Sequence, residues 1–175
     1  MRSKLVFSAN PQQQNTHDNM RVKTMSLDRE MMISPVEPED YDQWLPYWKS
    51  YQEFYKVQLS DEVTATTWNR FFNPDIPVYC AVARDGLRIV GFVHFVFHDS
   101  TRGINRYCYL EDLFVDPTTR GKNIGKKLIE YVREKAQGEN GDRLYWHTQE
   151  TNKTAQRLYD WVAEKPGVIE YRMPL

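Results

Sequence analysis

The sequence has little of several features that mark specialised classes of protein. Only two of its 175 residues are cysteines, Cys80 and Cys108, and they form no CxxC pair. No run of about 18 apolar residues is present, so we expect no helix that spans a membrane. Positive and negative side chains nearly cancel to a net charge of −1. Bulk charge therefore gives no indication of a nucleic-acid-binding protein.

The few cysteines and the lack of a long apolar stretch near the N-terminus also bear on cellular location and on metal binding. The two cysteines lie in apolar runs, which is typical of buried free thiols in a reducing compartment. His98 and His147 have no metal-ligand spacing to them, so we expect no metal site. The apolar stretch Leu5-Val6-Phe7 is too short for the core of a signal peptide. We therefore expect a cytoplasmic protein.

What the chain does contain is enough apolar surface for one compact core. Apolar residues make up 41% of the sequence and aromatic residues 14%, and 175 residues suit a single domain. Residues 1–30 are polar, aperiodic and include a glutamine tract at 12–14. We predict a flexible N-terminal extension over 1–30. A single folded domain is expected over 31–175.

The hydrophobic pattern of the folded part alternates between strand and helix periods. Strands are predicted at 31–36, 78–83, 89–97, 107–115, 144–148 and 168–173. Helices are predicted at 38–55, 60–72, 121–137 and 152–162, with Ser60 as the N-cap of the second. The order β-α-α-β-β-β-α-β-α-β indicates an α/β protein with a mixed sheet flanked by helices.

The loop Arg120-Gly121-Lys122-Asn123-Ile124-Gly125 leads from a buried strand into a helix. The first N–H groups of a helix lack internal partners and lie at the positive end of its dipole, which suits a pyrophosphate. The two glycines allow close approach of the backbone, and Asn123 tolerates a positive φ. Cations are supplied by Arg120, Lys122, Lys126 and Lys127. Taken alone, the loop is either an anion site or a chance cluster, and it matches neither the P-loop nor the dinucleotide fingerprint.

Two neighbouring motifs give the loop a context. Residues 109–116 read YLEDLFVD, and Asn152, Ala155, Leu158 and Tyr159 follow the pattern N-x-x-A-x-x-L-Y. With the loop between them, these motifs resemble the Gcn5-related N-acetyltransferase (GNAT) family over about residues 31–175. The look is closest to its polyamine and thialysine branch and to the yeast histone and D-amino-acid acetyltransferase-like members. Arg120 and Gly125 fit the family signature Q/R-x-x-G-x-G/A, whereas Asn123 stands where glycine is usual.

The resemblance implies a fold and a cofactor. The sheet would be mostly antiparallel and splayed at a cleft that holds acetyl-CoA as cosubstrate, without a metal. Backbone of Leu113, Phe114 and Val115 would bind the pantetheine arm, and Asn152 would contact the same arm or cap its helix. The full set of implied cofactor-binding residues is Leu113, Phe114, Val115, Arg120, Gly121, Lys122, Asn123, Ile124, Gly125, Lys126, Asn152 and Tyr159.

The resemblance also implies catalytic roles. Acetyl transfer to an amine needs a base for the ammonium and an acid for the departing thiolate. Glu111 would be the base, directly or through a water, and Tyr159 the acid; the alternatives are Asp112 as the base and a purely structural Tyr159. Strand alternation predicts Glu111 and Asp112 on opposite faces of the sheet.

The acceptor is the least specified part of the reaction. We expect a primary amine of a small molecule; a protein lysine or N-terminus, or a non-catalytic acyl-CoA-binding module, are the alternatives. No nucleic acid or membrane is expected as a partner. The aromatic-rich strand predicted at 168–173 is typical of edge strands that pair between subunits, so we expect a homodimer.

Overall fold

A computed structural model describes residues 31–119 and 121–175. Their strands form one five-stranded sheet in the order β1-β2-β3-β4-β5. The strands are β1 (Met32–Pro35), β2 (Val78–Asp85), β3 (Arg88–His98), β4 (Tyr107–Val115) and β5 (Arg143–Tyr145). Each of the strands β1 to β4 pairs antiparallel with the next one along the chain, and β5 pairs parallel with β4. The predicted mixed, mostly antiparallel sheet is confirmed.

Within the described residues, four α-helices flank the sheet: α1 (Tyr41–Tyr55), α2 (Asp61–Arg70), α3 (Ile124–Gly138) and α4 (Lys153–Val162). Short 3-10 turns precede α1 and follow β4. Ser60 caps α2 as predicted, because its hydroxyl accepts a hydrogen bond from the Val63 N–H at 3.2 Å. In the described part of the chain, no helix has both the length and the apolar character needed to cross a membrane.

The core has two halves, one on each face of the sheet. Successive side chains of a strand point to opposite faces. Ala81, Val93 and Leu110 therefore pack against α3 on one face. Val82 and Phe92 pack on the other face against tryptophans of α1. Helices thus cover both faces of β4, as its continuous apolar sequence predicts.

The predicted strand at 168–173 is wrong: residues 163–175 form no strand. Their alternating sequence favours an extended chain, but a strand also needs a neighbour to pair with. Among the described residues none pairs there, and the large apolar side chains stay exposed, with Val168 at 74% and Tyr171 at 91%. β5 is also shorter than the predicted 144–148, since only Arg143–Tyr145 pairs with β4.

Candidate active site

The sheet opens between β4 and β5. The two strands pair only from Tyr107 opposite Arg143 to Tyr109 opposite Tyr145, whereas β4 continues to Val115. The Asp116 N–H points the other way and donates to the Val90 carbonyl at 2.9 Å. Because amides alternate between the edges of a strand, the N–H groups of Leu113 and Val115 point into the opening. They are placed to bond an extended ligand as a neighbouring strand would.

The loop before α3 has the backbone shape that its sequence predicts. Asn123 lies in the left-handed region with φ 57° and stands at the N-cap position. Gly121 has φ 86°, a conformation that favours glycine. The α-helix proper begins at Ile124, so its first amides lack partners within the helix. Arg120 lies outside the described residues.

The other predicted cofactor-binding residues of the loop differ in whether their backbone or their side chain is available to a ligand. Ile124 is 2% exposed, so its backbone, and not its side chain, is available to a ligand. Lys122 forms an ion pair with Asp85 at 3.5 Å. Lys126 lies 3.4 Å from Glu130 and over the Trp161 ring at 4.4 Å from its centroid. Lys122 and Lys126 are therefore near the helix start but already have partners.

Gly125 brings α3 close to α4. A Cβ at this position would lie 3.0 Å from Cδ2 of Leu158 and 3.9 Å from side-chain atoms of Leu113 and Val115. All three neighbours are apolar, so the missing side chain makes room for packing. Gly125 thereby links the start of α3 to the helix that carries Tyr159.

Asn152 is the N-cap of α4. Its Oδ1 accepts a hydrogen bond from the Ala155 N–H at 3.2 Å, as the capping alternative predicts. Its Nδ2 donates to the Tyr55 hydroxyl at 3.3 Å. The end of α1 and the start of α4 are therefore joined across 97 residues of sequence.

Tyr159 lies near the end of α1 as well. Its ring packs 5.4 Å from the Trp146 ring, and the α3-side core contacts it. Burial, and to a smaller extent the neighbouring Tyr55, raise the pKa of its phenol. Tyr159 is therefore protonated across the neutral range, the state that a general acid requires.

A β-bulge changes the predicted arrangement of the two carboxylates. His94 is opposite Asp112 and Phe95 is opposite Leu110, which leaves Glu111 without a partner. Leu110 faces the α3-side core, but Asp112 bonds His94 on the α1 side. The predicted placement of Glu111 and Asp112 on opposite faces is wrong, because the extra residue interrupts the alternation.

The groups that act on the Glu111 carboxyl agree with a position on the α1 side, beside Asp112. Its side chain is exposed, yet enough protein surrounds the carboxyl that desolvation raises its pKa. The charge of Asp112 raises it further, whereas the positive charge of Arg70, at the end of α2, lowers it. Burial and the charges of Glu111 and Asp112 raise the pKa of Tyr109 to about 12. The bulge thus forms an acidic patch beside the opening of the sheet.

His94 belongs to this patch, although the sequence alone favours a purely structural role for a lone histidine within an apolar strand. Its Nδ1 lies 2.9 Å from Asp112 Oδ2, and its Nε2 accepts from the Trp44 indole at 3.0 Å. His94 and Asp112 are 18 residues apart, and no local motif connects them. Tyr51 also faces Asp112, and burial followed by that charge raises its pKa.

The opening therefore has unpaired N–H donors along β4, with Glu111 and Asp112 earlier on the same strand and Tyr159 on α4, which packs close to Leu113. Backbone N–H groups can hold an extended acyl carrier, and the start of α3 suits its phosphates. Glu111 can accept a proton and Tyr159 can donate one. Among residues 31–119 and 121–175, no three His, Cys, Asp or Glu side chains converge to hold a metal ion.

Known proteins resemble this chain in sequence and in fold. Residues 39–161 match the model of the acetyltransferase (GNAT) family. A D-amino-acid N-acetyltransferase of Saccharomyces cerevisiae is 34% identical over 156 residues, covering 88% of this chain and 96% of the relative. The thialysine N-epsilon-acetyltransferase of Mus musculus is 33% identical over 134 residues, covering 67% of this chain and 75% of the relative.

Solved structures share the fold at lower identity. A ribosomal-protein-alanine N-acetyltransferase from Brucella melitensis superposes with a TM-score of 0.71 at 21% identity, covering 83% of this chain and 99% of that one. Aminoglycoside N-acetyltransferase AAC(6')-Iy in complex with CoA gives 0.71 at 20% identity, covering 83% and 96%. Fold, family match and sequence identity agree, and the chain belongs to the GNAT acetyltransferase family.

Proposed function

We propose that this enzyme transfers an acetyl group from acetyl-CoA to a primary amine of a small molecule. The observation that carries the proposal is the open edge of β4. Unpaired amides of Leu113 and Val115 lie between the start of α3 and the bulge at Glu111. A thioester held along this edge would have its phosphates near Asn123 and its acetyl end near the carboxylates.

The cofactor contacts follow from this placement. Backbone of residues 113–115 would bond the pantetheine arm, and the amides of residues 121–126 would bond the pyrophosphate. Asn123 holds its left-handed backbone without glycine. Asn152 would help indirectly, because its cap fixes the start of α4 beside the opening.

The chemistry is a direct attack of the amine on the thioester. Glu111 would remove a proton from the ammonium, directly or through a water, since its raised pKa makes it a better base than an ordinary carboxylate. The free amine would add to the carbonyl carbon, forming the C–N bond. As the C–S bond breaks, Tyr159 would donate its proton to the thiolate. The nitrogen of the tetrahedral intermediate would lose its extra proton to the tyrosinate, which restores Tyr159, and Glu111 would release its proton to solvent.

An anionic rim favours a cationic acceptor. Glu111 and Asp112 lie together at the opening, and opposite charge attracts an ammonium group. The two relatives described above are named for D-amino acids and for thialysine, which are small molecules with primary amines. We therefore place the acceptor in this class.

The test combines cofactor binding with an acceptor panel. Acetyl-CoA should raise the melting temperature of the protein, and release of free thiol should depend on the amine added. The panel should contain D- and L-amino acids, thialysine, polyamines and a lysine-containing peptide. An unchanged melting temperature at saturating acetyl-CoA would contradict the proposal, and turnover of the peptide alone would move the acceptor to the protein class.

Glu111→Gln tests the base separately. The amide keeps the shape of the carboxylate but accepts no proton at neutral pH, so turnover should fall while acetyl-CoA binding persists. Calorimetric titration with the cofactor provides the control. Full activity in this variant would remove Glu111 from the mechanism.

Three further expectations complete the proposal. The catalytic domain spans 31–175, and the extension predicted over residues 1–30 lies outside the described residues. The enzyme works in the cytoplasm, consistent with two buried free thiols, Cys80 and Cys108. It is a homodimer, supported by the exposed apolar side chains of residues 168–173. Light scattering coupled to size exclusion should give twice the monomer mass, and a monomer at micromolar concentration would contradict the dimer.

A further inference from the structure

Two buried side chains, Trp44 and His94, form a hydrogen-bonded chain that ends on the half-buried Asp112 carboxylate. The Trp44 indole donates to Nε2 of His94 at 3.0 Å. On its other side, Nδ1 of His94 lies 2.9 Å from Oδ2 of Asp112. Trp44 is 0% exposed and His94 is 2% exposed. Rings of Phe71 and Phe92 lie 4.8 and 4.5 Å from the His94 ring, so the imidazole has little room to turn.

The direction of the hydrogen bonds follows from the indole. An indole N–H can only donate, so Nε2 of His94 is an acceptor and carries no proton. The proton of the neutral ring is therefore on Nδ1, which donates to the Asp112 carboxylate. Trp44 and His94 thus hold Asp112 in one orientation and satisfy one of its oxygens.

The two carboxylates differ in what they can reach. The Asp112 side chain is only 14% exposed. Its Oδ2 already accepts a hydrogen bond from His94 and is not free to bind an acceptor. Glu111 is the unpaired residue of the bulge and its side chain is exposed to solvent. Glu111 is therefore the group that can meet an acceptor, and Asp112 is the fixed charge beside it.

Every element around this pair contributes a titratable or charged group. Tyr51 comes from α1, Arg70 from α2 and His94 from β3. Tyr109 comes from β4 itself, with Tyr145 of β5 and Glu170 acting on it from farther away. For Glu111, the negative charge of Asp112 opposes the positive charge of Arg70, whereas His94, with no proton on Nε2, adds no net charge.

We propose that Asp112 is a positioning residue for acetyl transfer. Held by His94 and Trp44, it keeps a fixed negative charge beside Glu111. That charge strengthens Glu111 as a proton acceptor and draws the ammonium group of the acceptor to it. No proton passes through Asp112, His94 or Trp44. The inference rests on the proposed function in one respect, that Glu111 is the base.

The first test follows the titration of Glu111 itself. Carbon-13 NMR of glutamate carboxyls, assigned with Glu111→Gln, reports this in the free protein without any turnover. Asp112→Asn is nearly isosteric and removes the negative charge, so Glu111 should titrate at lower pH. Arg70→Gln removes an opposing charge and should move the titration to higher pH. Asp42→Asn makes the same charge change at an exposed position of α1 and should leave it unchanged.

The second test asks whether His94 acts through Asp112. His94→Asn keeps an N–H in the place of Nδ1, so the Glu111 titration should stay near that of the wild type. His94→Phe removes the donor and frees the carboxylate to turn away, so the titration should move toward that of Asp112→Asn. If His94→Phe does not fold, the Glu111 titration in Asp112→Asn still tests the charge of Asp112, on which the proposal depends.

Kinetics separate the two proposals. The acidic limb of kcat/KM against pH should move to lower pH in Asp112→Asn, in step with the NMR titration. A Glu111 titration that is unchanged or moves upward in Asp112→Asn would overturn the inference about Asp112. If that titration moves as expected but the limb stays and Glu111→Gln remains active, the assignment of Glu111 as the base fails instead.

Discussion

Replacing Tyr159 by Phe removes one oxygen from the centre of the proposed chemistry. The hydroxyl makes no hydrogen bond to the described residues, whereas the ring packs against Trp146. Because Phe keeps the ring and breaks no internal bond, we expect a change in unfolding free energy below about 0.5 kcal/mol. Loss of a general acid typically costs about 100-fold or more in rate. The variant should therefore be stable and nearly inactive.

The assay measures the two effects separately. Thiol released from acetyl-CoA gives kcat, calorimetry gives the Kd of the cofactor, and urea denaturation gives stability. Tyr131→Phe, on α3 at the edge of the same core, is the matched control and should keep full activity. A kcat of Tyr159→Phe within about threefold of the wild type would refute the role of the phenol as the acid.

Three other substitutions test the framework. Asn123→Ala places alanine at φ 57° and should cost about 1 kcal/mol of stability, whereas Asn123→Gly should be neutral. Gly91→Ala would put a Cβ 2.7 Å from the Phe114 carbonyl, so we expect a loss of about 1–3 kcal/mol; Gly138→Ala, with open space around it, is the control. Arg84→Met breaks the bidentate ion pair with buried Asp40, at a cost of about 3 kcal/mol at pH 7.

The stabilisation by the Arg84–Asp40 ion pair should depend on pH, and acid denaturation can check the direction of that dependence. Burial acts to raise the pKa of Asp40, but hydrogen bonds from Arg84 and the Glu37 N–H outweigh it and leave that pKa below its ordinary value of 3.8. The unfolded chain then binds the proton first as pH falls, so this stabilisation is present above 3.8 and lost below it. The difference in stability between wild type and Arg84→Met should shrink there. A difference independent of pH would assign the loss to packing.

The parts of the site that depend on local chemistry could be predicted from the sequence. Asn tolerates a left-handed backbone, which gives Asn123 its role at the start of α3. The cap at Asn152 follows in the same way, because an amide oxygen bonds amides a few residues later. Each of these features requires only neighbours within one turn of chain.

The parts of the site that depend on pairing between distant segments could not be predicted from the sequence. A period of two assumes an uninterrupted ladder, and the bulge opposite His94 breaks it at Glu111. The contact between His94 and Asp112 exists only once β3 and β4 are in register. The segment after Gly167 fails for a similar reason, since its strand-like sequence cannot supply the neighbour that a strand needs.

The short pairing of β4 with β5 has a consequence for how the empty enzyme behaves. Amides of Leu113 and Val115 that face the opening have no strand to protect them, so they should exchange hydrogen for deuterium rapidly. Those of Phe114 and Asp116, which face β3, should exchange slowly. A ligand that fills the opening would complete the ladder and slow the first pair selectively. Hydrogen exchange at the Leu113 and Val115 amides therefore reports whether the opening is occupied, without any change to the protein or the ligand.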